Sequence, residues 1–214
     1  MQQETFPPMW RVIPPGERDG YQVEHCVVDE SASRMTALHG GRSYVPPGKY
    51  ARLLLNGHGW DRQTLMSDTP YERRTNAEVV RQARGRVLIA GLGLGMVLTA
   101  ILRKPEVREV VVVECAQPVV DLVAENVRAF VGKRAAAKLR IVVTDIFNAR
   151  RTVPQEPYDC LWFDIWGDVS TDALQEMTTL TRSYRALRSP GAWMECWDRE
   201  WLRCRREQER RAGW

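Results

Sequence analysis

The chain has 214 residues, 44% of them hydrophobic and 27% charged, with a formal net charge of +4. That length allows one domain of ordinary size with a smaller appendage, and the composition excludes a disordered chain. No apolar run approaches the ~20 residues that span a bilayer, which excludes a helical membrane anchor within this sequence.

The opening segment, Met1-Gln2-Gln3-Glu4-Thr5-Phe6-Pro7-Pro8, has neither the basic start nor the apolar centre of a secretory signal, so a cytoplasmic location is expected. From about Trp10 to Met66 short strand-like runs alternate with turn signals, among them Pro14-Pro15-Gly16, Gly40-Gly41 and Pro46-Pro47-Gly48. Strands are predicted at Gln22–Val28, Arg34–Leu38, Tyr50–Leu55 and Gln63–Met66. The Asn56-Gly57 dipeptide predicts a tight turn that joins the last two as a hairpin. Asp68 through Ala83 reads as a helix, with Asp68 or Thr69 as N-cap and Pro70 in the first turn.

Arg84-Gly85 is the expected boundary between an N-terminal β-region, residues 1–84, and a second unit, residues 85–214. Beyond it buried strands alternate with amphipathic helices, the pattern of a parallel sheet covered on both faces. The first strand, Val87–Ala90, runs into Gly91-Leu92-Gly93-Leu94-Gly95 and a helix stopped by Pro105. The second, Val110–Glu114, precedes a helix that opens at Pro118, aligns Val119, Leu122, Val123, Val127 and Phe130, and ends at Gly132. Strands three and four are Arg140–Thr144 and Cys160–Asp164. A helix capped by Ser170 or Thr171 then carries Leu174, Met177, Leu180, Tyr184 and Leu187 on one side, is terminated by Pro190-Gly191, and is followed by strand five, Ala192–Trp197.

The fold class expected is therefore α/β, a Rossmann-like doubly wound, mostly parallel sheet with a small N-terminal β-region. In such a sheet ligands sit outside the carboxyl ends of the strands. Those ends carry the glycine loop, Glu114, Asp145 and Asp164. Glu114 lies 23 residues beyond Gly91, a spacing that suits a carboxylate accepting from two ribose hydroxyls. A dinucleotide fingerprint would place glycine three residues after Gly93, where Met96 stands. Gly-x-Gly-x-Gly suits a ligand with an amino-acid tail better than one with two phosphates.

The five cysteines, Cys26, Cys115, Cys160, Cys196 and Cys204, are odd in number and widely spaced, as reduced thiols would be. No pair has zinc-ligand spacing and His25, His39 and His58 are isolated, so no metal is expected. Arg199, Arg203, Arg205, Arg206, Arg210 and Arg211 crowd the end against Asp198, Glu200, Glu207 and Glu209. Such a run fits a solvated terminal helix first and a nucleic-acid contact second.

The strand and glycine loop, Glu114, Thr144-Asp145 and Asp164 together resemble the class I S-adenosylmethionine-dependent methyltransferase fold, and within it the spermidine-synthase-like proteins. Leu53-Leu54-Leu55-Asn56-Gly57 resembles that family's Leu-x-Leu-Asp-Gly hairpin, and Asp68-Thr69-Pro70-Tyr71-Glu72 resembles its Asp-Glu-x-x-Tyr-x-Glu segment. The resemblance covers roughly Tyr50 to Asp198. It implies a transferase that moves a methyl or aminopropyl group from S-adenosylmethionine, or its decarboxylated form, to an amine or other small nucleophile, a polyamine among them.

By the same resemblance, Gly91, Leu92, Gly93 and Gly95 would lie against the aminoacyl part of the cofactor. Glu114, with Cys115 beside it, would hold the ribose, and Asp145 with Ile146 would flank the adenine. Asp164 would assist deprotonation of the attacking amine and Asp168 would be the second catalytic carboxylate, although four residues separate them here where the family has three. Asp68, Tyr71 and Glu72 would meet the substrate; Trp166, beside Asp164, is expected from its own chemistry to face a cationic or planar substrate with its ring. Only 16 residues follow Asp198, fewer than the antiparallel pair that usually completes the fold needs. A shallow acceptor pocket, or one completed by a second copy in a homodimer, is expected. Two other function classes share parts of the pattern: an NAD(P)-binding oxidoreductase, and a non-catalytic nucleic-acid-binding or scaffold protein.

Overall fold

A computed structural model describes residues 5–38, 44–56, 62–167 and 170–211. Asp168, Gly40-Gly41 and the Gly57 of the expected turn lie outside the described residues, as do His39 and His58. Two sheets make up the fold. The first is an antiparallel meander of β1 (Gly16–Arg18), β2 (Tyr21–Val28), β3 (Gly48–Asn56) and β4 (Arg62–Ser67) in that order. The second is parallel throughout and ordered β7-β6-β5-β8-β9, from β5 (Gly85–Ala90), β6 (Val107–Glu114), β7 (Leu139–Val143), β8 (Tyr158–Phe163) and β9 (Arg188–Cys196). The chain winds outward from β5 in one direction through β6 and β7, then in the other through β8 and β9. The carboxyl ends beside β5 are therefore the point where a crevice opens.

Period-two alternation divides the parallel sheet between two cores. Val87, Ile89, Val110, Val112, Cys160 and Trp162 face one side; Leu88, Ala90, Val111, Val113, Leu161 and Phe163 face the other. Val110 to Val113 are at most 1% exposed, and burial of each contributes about 1.5–3 kcal/mol. The first side is covered by α3 (Ala77–Gln82), α4 (Met96–Leu102), α5 (Gln117–Val131) and the short α6 (Lys133–Ala136), and its core continues without a break into Phe6, Met9, Val23 and Leu53 of the N-terminal region. The second side is covered by α7 (Ala173–Tyr184) and α8 (Arg199–Arg211) through Leu174, Met177, Leu180, Tyr184 and Leu202. Arg18 Nε pairs with Asp121 Oδ2 at 2.8 Å and ties β1 to α5.

Local chemistry accounts for the departures from expectation. Arg34–Leu38 is not a strand but the end of α1 (Glu30–Leu38), because Asp29 caps that helix: its carboxylate accepts from Ala32 N at 2.8 Å and its carbonyl from Ser33 N at 2.9 Å. The helix expected from Asp68 to Ala83 is divided into α2 (Pro70–Thr75) and α3 at Asn76, whose ψ of 0° and fully buried side chain interrupt the run. Thr69, not Asp68, occupies the N-cap position. α7 ends at Tyr184 and passes through a 3-10 turn, so Pro190-Gly191 does not stop it. That pair lies inside β9, where the pairing with β8 is irregular between Tyr158 and Cys160. Phe130, expected on the apolar side of α5, is 44% exposed.

Candidate functional site

Hydrogen bonds carry the parallel ladder one residue past each strand end and hold the polar residues there at one level. Gly91 N donates to Val113 O at 2.8 Å, Thr144 N to Glu114 O at 2.9 Å, Asp164 N to Ala90 O at 2.9 Å and Trp197 N to Phe163 O at 2.9 Å. Above them lies a cleft of about 480 Å³. Gly91, Leu92, Gly93, Glu114, Cys115, Asp145, Ile146, Asp164, Trp166 and Glu72 all line it.

The glycine loop is pressed between two walls. Gly91 has φ +93°, and a Cβ on it would stand 2.0 Å from the Asp164 carbonyl oxygen, so only glycine lets the end of β5 pass the end of β8. A Cβ on Gly93, at φ +51°, would stand 2.3 Å from Met66 Sδ, which also accepts from Leu94 N at 3.2 Å. The N-terminal sheet thus roofs the loop. Gly95 does not line the cleft; its missing side chain makes room for Val123 and Val127 of α5.

Glu114 is 8% exposed and well supplied with donors: Oε2 accepts from Leu92 N at 2.8 Å and Oε1 from Ala116 N at 2.9 Å. The Cys115 thiol is a weak third donor, to Oε1 at 3.5 Å; of the about four lone-pair sites a carboxylate offers, one is free for a hydroxyl group in the cleft and a second becomes so when the thiol turns away. Asp145 is exposed, with Oδ1 accepting from Phe147 N at 2.9 Å, while Ile146 beside it is 3% exposed and presents an apolar edge.

The opposite wall is electrostatically different. Burial pushes Asp164 up to about 7, with the Asp198 charge adding to the rise. The Trp162 indole opposes part of it, although its Nε1 is buried with no hydrogen-bond partner among the described residues. Glu72, on α2, is pushed up to about 8 by burial first, then by Asp164 and Asp198. Trp166 lines the same wall and donates to Glu176 Oε2 at 3.0 Å. Two carboxylates, Glu72 and Asp164, and the rings of Trp162, Trp166 and Trp197 therefore line one mouth, with the Asp198 charge close behind it, a setting that stabilises a cation and welcomes a proton.

Two of the expected substrate contacts are placed elsewhere. Asp68 is fully buried away from the cleft and accepts from Met9 N at 2.6 Å and Ala51 N at 2.7 Å; it fastens the first turn of the chain to β3. Tyr71 does not line the cleft, and its hydroxyl donates to Asp198 Oδ2 at 2.7 Å. Sequence reasoning gave no role to Asp198, nor to Tyr21, Leu65 and Met66, which reach the cleft from the antiparallel sheet. The strand-end rule that selects Glu114, Asp145 and Asp164 extends to β9, immediately before Asp198. Nothing in the sequence marks the roof.

The chain matches no family model and no curated protein. Among solved structures it is similar to the O-methyltransferase TomG from Streptomyces achromogenes in complex with SAM, 21% identical over 60% of this chain and 55% of that one, TM-score 0.43. It is similar to the CcbJ methyltransferase from Streptomyces caelestis, 22% identical over 58% of this chain and 51% of that one, TM-score 0.43. The N-methyltransferase NodS from Bradyrhizobium japonicum WM9 is 16% identical over 58% of this chain and 66% of that one, TM-score 0.44. The matched region spans between 51% and 66% of those proteins' length. What the cleft holds has to follow from its own side chains.

Proposed function

We propose that this chain binds S-adenosylmethionine, or its decarboxylated form, in the cleft and transfers a methyl or aminopropyl group to a small amine. The observation that carries the proposal is the convergence of the glycine loop, Glu114, Asp145 and Asp164 on one cavity from four adjacent strand ends. Glu114 has the lone pairs to accept from two ribose hydroxyls once the Cys115 thiol turns away, Ile146 and Cys115 supply an apolar edge for a purine, and the loop backbone takes the amino-acid tail. Once bound, the sulfonium supplies an electrophilic carbon. The protein's share is then orientation and proton removal. Asp164, ionised above about 7, accepts the proton of the attacking amine, and Glu72, which lines the same wall, holds the amine's charge before it is lost, with the field of Asp198 adding from behind.

An oxidoreductase reading is disfavoured by Met96, which stands where a dinucleotide fingerprint has its third glycine.

Titration calorimetry with S-adenosylmethionine, its decarboxylated form, methylthioadenosine and NAD, on the wild type and on Glu114→Ala, tests the proposal. The native protein is expected to prefer one sulfur nucleoside, and the substitution to weaken it by about 100-fold or more, as loss of two hydrogen bonds to a charged group would. Unchanged affinity in the variant, or preference for NAD, would overturn it.

A further inference from the structure

A second cavity lies away from the cleft, in the outer surface between α7 and α8. It is a groove of about 710 Å³ lined by Arg182 of α7 and by Arg203, Arg206 and Arg210 of α8, with Thr178, Thr179 and Glu207 among them. Leu174, Leu180 and Leu202 fasten the two helices to the sheet, so the groove is a fixed part of the surface. Arg203, Arg206 and Arg210 follow an i, i+3, i+7 stripe along one face. Glu207 is engaged by Arg210 and Arg211, whereas Arg182, Arg203 and Arg206 have no acidic partner among the described residues.

The hydrogen-bonding character of the lining restricts the ligand. Thr178 Oγ1 and Thr179 Oγ1 already donate to the carbonyls of Leu174 and Gln175, at 2.8 and 3.0 Å, so the groove's spare charged donors are guanidinium groups. Those match ligand oxygens that only accept, and match phosphate in particular through paired N–H groups. The stripe extends about 10 Å along α8 at ~1.5 Å per residue, the length of about three nucleotides at ~3.4 Å each. A single small anion would leave most of it unused. An acidic protein surface would need an apolar or aromatic anchor at the centre of the contact. Leu174 is the only apolar side chain in the lining and is itself buried.

We propose that the groove between α7 and α8 binds the sugar-phosphate backbone of a nucleic acid without reading its sequence. The groove and the cleft share no lining residue, so this binding is independent of any donor nucleoside.

Fluorescence anisotropy with labelled 20-nucleotide single-stranded RNA, single-stranded DNA and duplex DNA of mixed sequence, from 50 to 200 mM NaCl, tests this. With three guanidiniums on phosphates, Kd is expected to rise roughly 20- to 40-fold across that range. Arg182→Ala/Arg203→Ala/Arg206→Ala is expected to lose at least tenfold in affinity and most of the salt slope. Arg205→Ala removes a guanidinium that is paired with Glu209 and lies over the Trp201 ring, and is expected to bind as the wild type does. Should the triple variant melt below the assay temperature, each single substitution must lower the salt slope by about one unit. Failure of the wild type to bind at 50 mM NaCl, wild-type affinity in the triple variant, or equal displacement by polyglutamate of matched charge would overturn the proposal.

Discussion

The two walls of the cleft are built on the same sheet and differ in how their carboxylates are satisfied. On the β6 side Glu114 has a backbone donor on each oxygen, at 2.8 and 2.9 Å, and so is fixed in place as an acceptor. On the β8 side Asp164 and Glu72 are half-buried near one another and near Asp198, and are raised to about 7 and about 8. A carboxylate held by N–H groups is ready for neutral hydroxyls, which ask for no change in charge. Asp164 and Glu72 are raised by burial and by neighbouring carboxylates, and a bound amine or a proton relieves both. The division matches a donor wall and an acceptor wall in the proposed transfer.

The sharpest way to break this comparison is Asp164→Asn. The substitution leaves the β6 side untouched, so donor affinity is expected to stay within about threefold while kcat falls by about 10²- to 10⁴-fold, the usual worth of a positioned base. In the wild type kcat/KM is expected to rise as pH passes through about 7, where Asp164 becomes a carboxylate, and the variant is expected to lose that limb. Steady-state kinetics alongside donor calorimetry would separate the two effects. Equal loss of binding and turnover would mean that the walls are not independent.

Gly91→Ala attacks the seam between the walls. The left-handed backbone costs about 1–2 kcal/mol for any L-residue, and the new methyl would meet the Asp164 carbonyl 2.0 Å away. A total of at least about 3 kcal/mol is expected, or roughly 6–12 °C in melting temperature. Gly191→Ala provides the contrast: φ is +74° but no atom lies within 4 Å of the new Cβ, so only the backbone term remains. Comparable losses at the two sites would remove close strand-end packing as the reason for glycine at position 91.

The two walls were not equally legible in the sequence. Strand-end acids are local signals, since β6 is nearly continuous valine and its last residue must be Glu114; the periodic strands and helices of the parallel sheet could be read for the same reason. The roof could not. Met66 reaches Gly93 from β4 across 27 residues of sequence, and no local pattern announces that contact. Asp68 illustrates the converse failure. It has the residue type and the spacing of a substrate contact, but a buried carboxylate needs donors, and Met9 N and Ala51 N claim it from a distance that sequence periodicity does not register. Likewise α1 escaped because its cap, Asp29, falls between the strands expected at Gln22–Val28 and Arg34–Leu38, where it reads as a turn residue.

Glu72→Gln tests the proton balance of the acceptor wall. A carboxylate whose folded pKa is raised favours the protonated form in the fold, so its contribution is complete below the unfolded value near 4.5 and is lost as pH rises through about 8. The neutral amide has no such loss. Thermal melts are therefore expected to coincide at pH 4 and to favour the variant at pH 8.5 by about 1–2 kcal/mol, or roughly 3–6 °C. A variant that melts lower at pH 8.5 would show that the Glu72 charge is already compensated.

The smallest effect is the most selective. Asp198 sits at φ +54°, a left-handed conformation that asparagine shares with aspartate more readily than other residues do. Asp198→Asn therefore keeps the backbone, and its carbonyl oxygen still accepts from the Tyr71 hydroxyl, now 2.7 Å from Oδ2. Only the charge is removed. Since Asp198 is one cause of the rise at both Asp164 and Glu72, and burial the larger one at each, the acid limb of kcat/KM is expected to move to lower pH by less than burial has raised it. Donor affinity should not change, because none of the bonds to Glu114 is touched. A limb that stays in place would mean that solvent screens Asp198 from the other two carboxylates, and that the acceptor wall holds a pair of acids, not three.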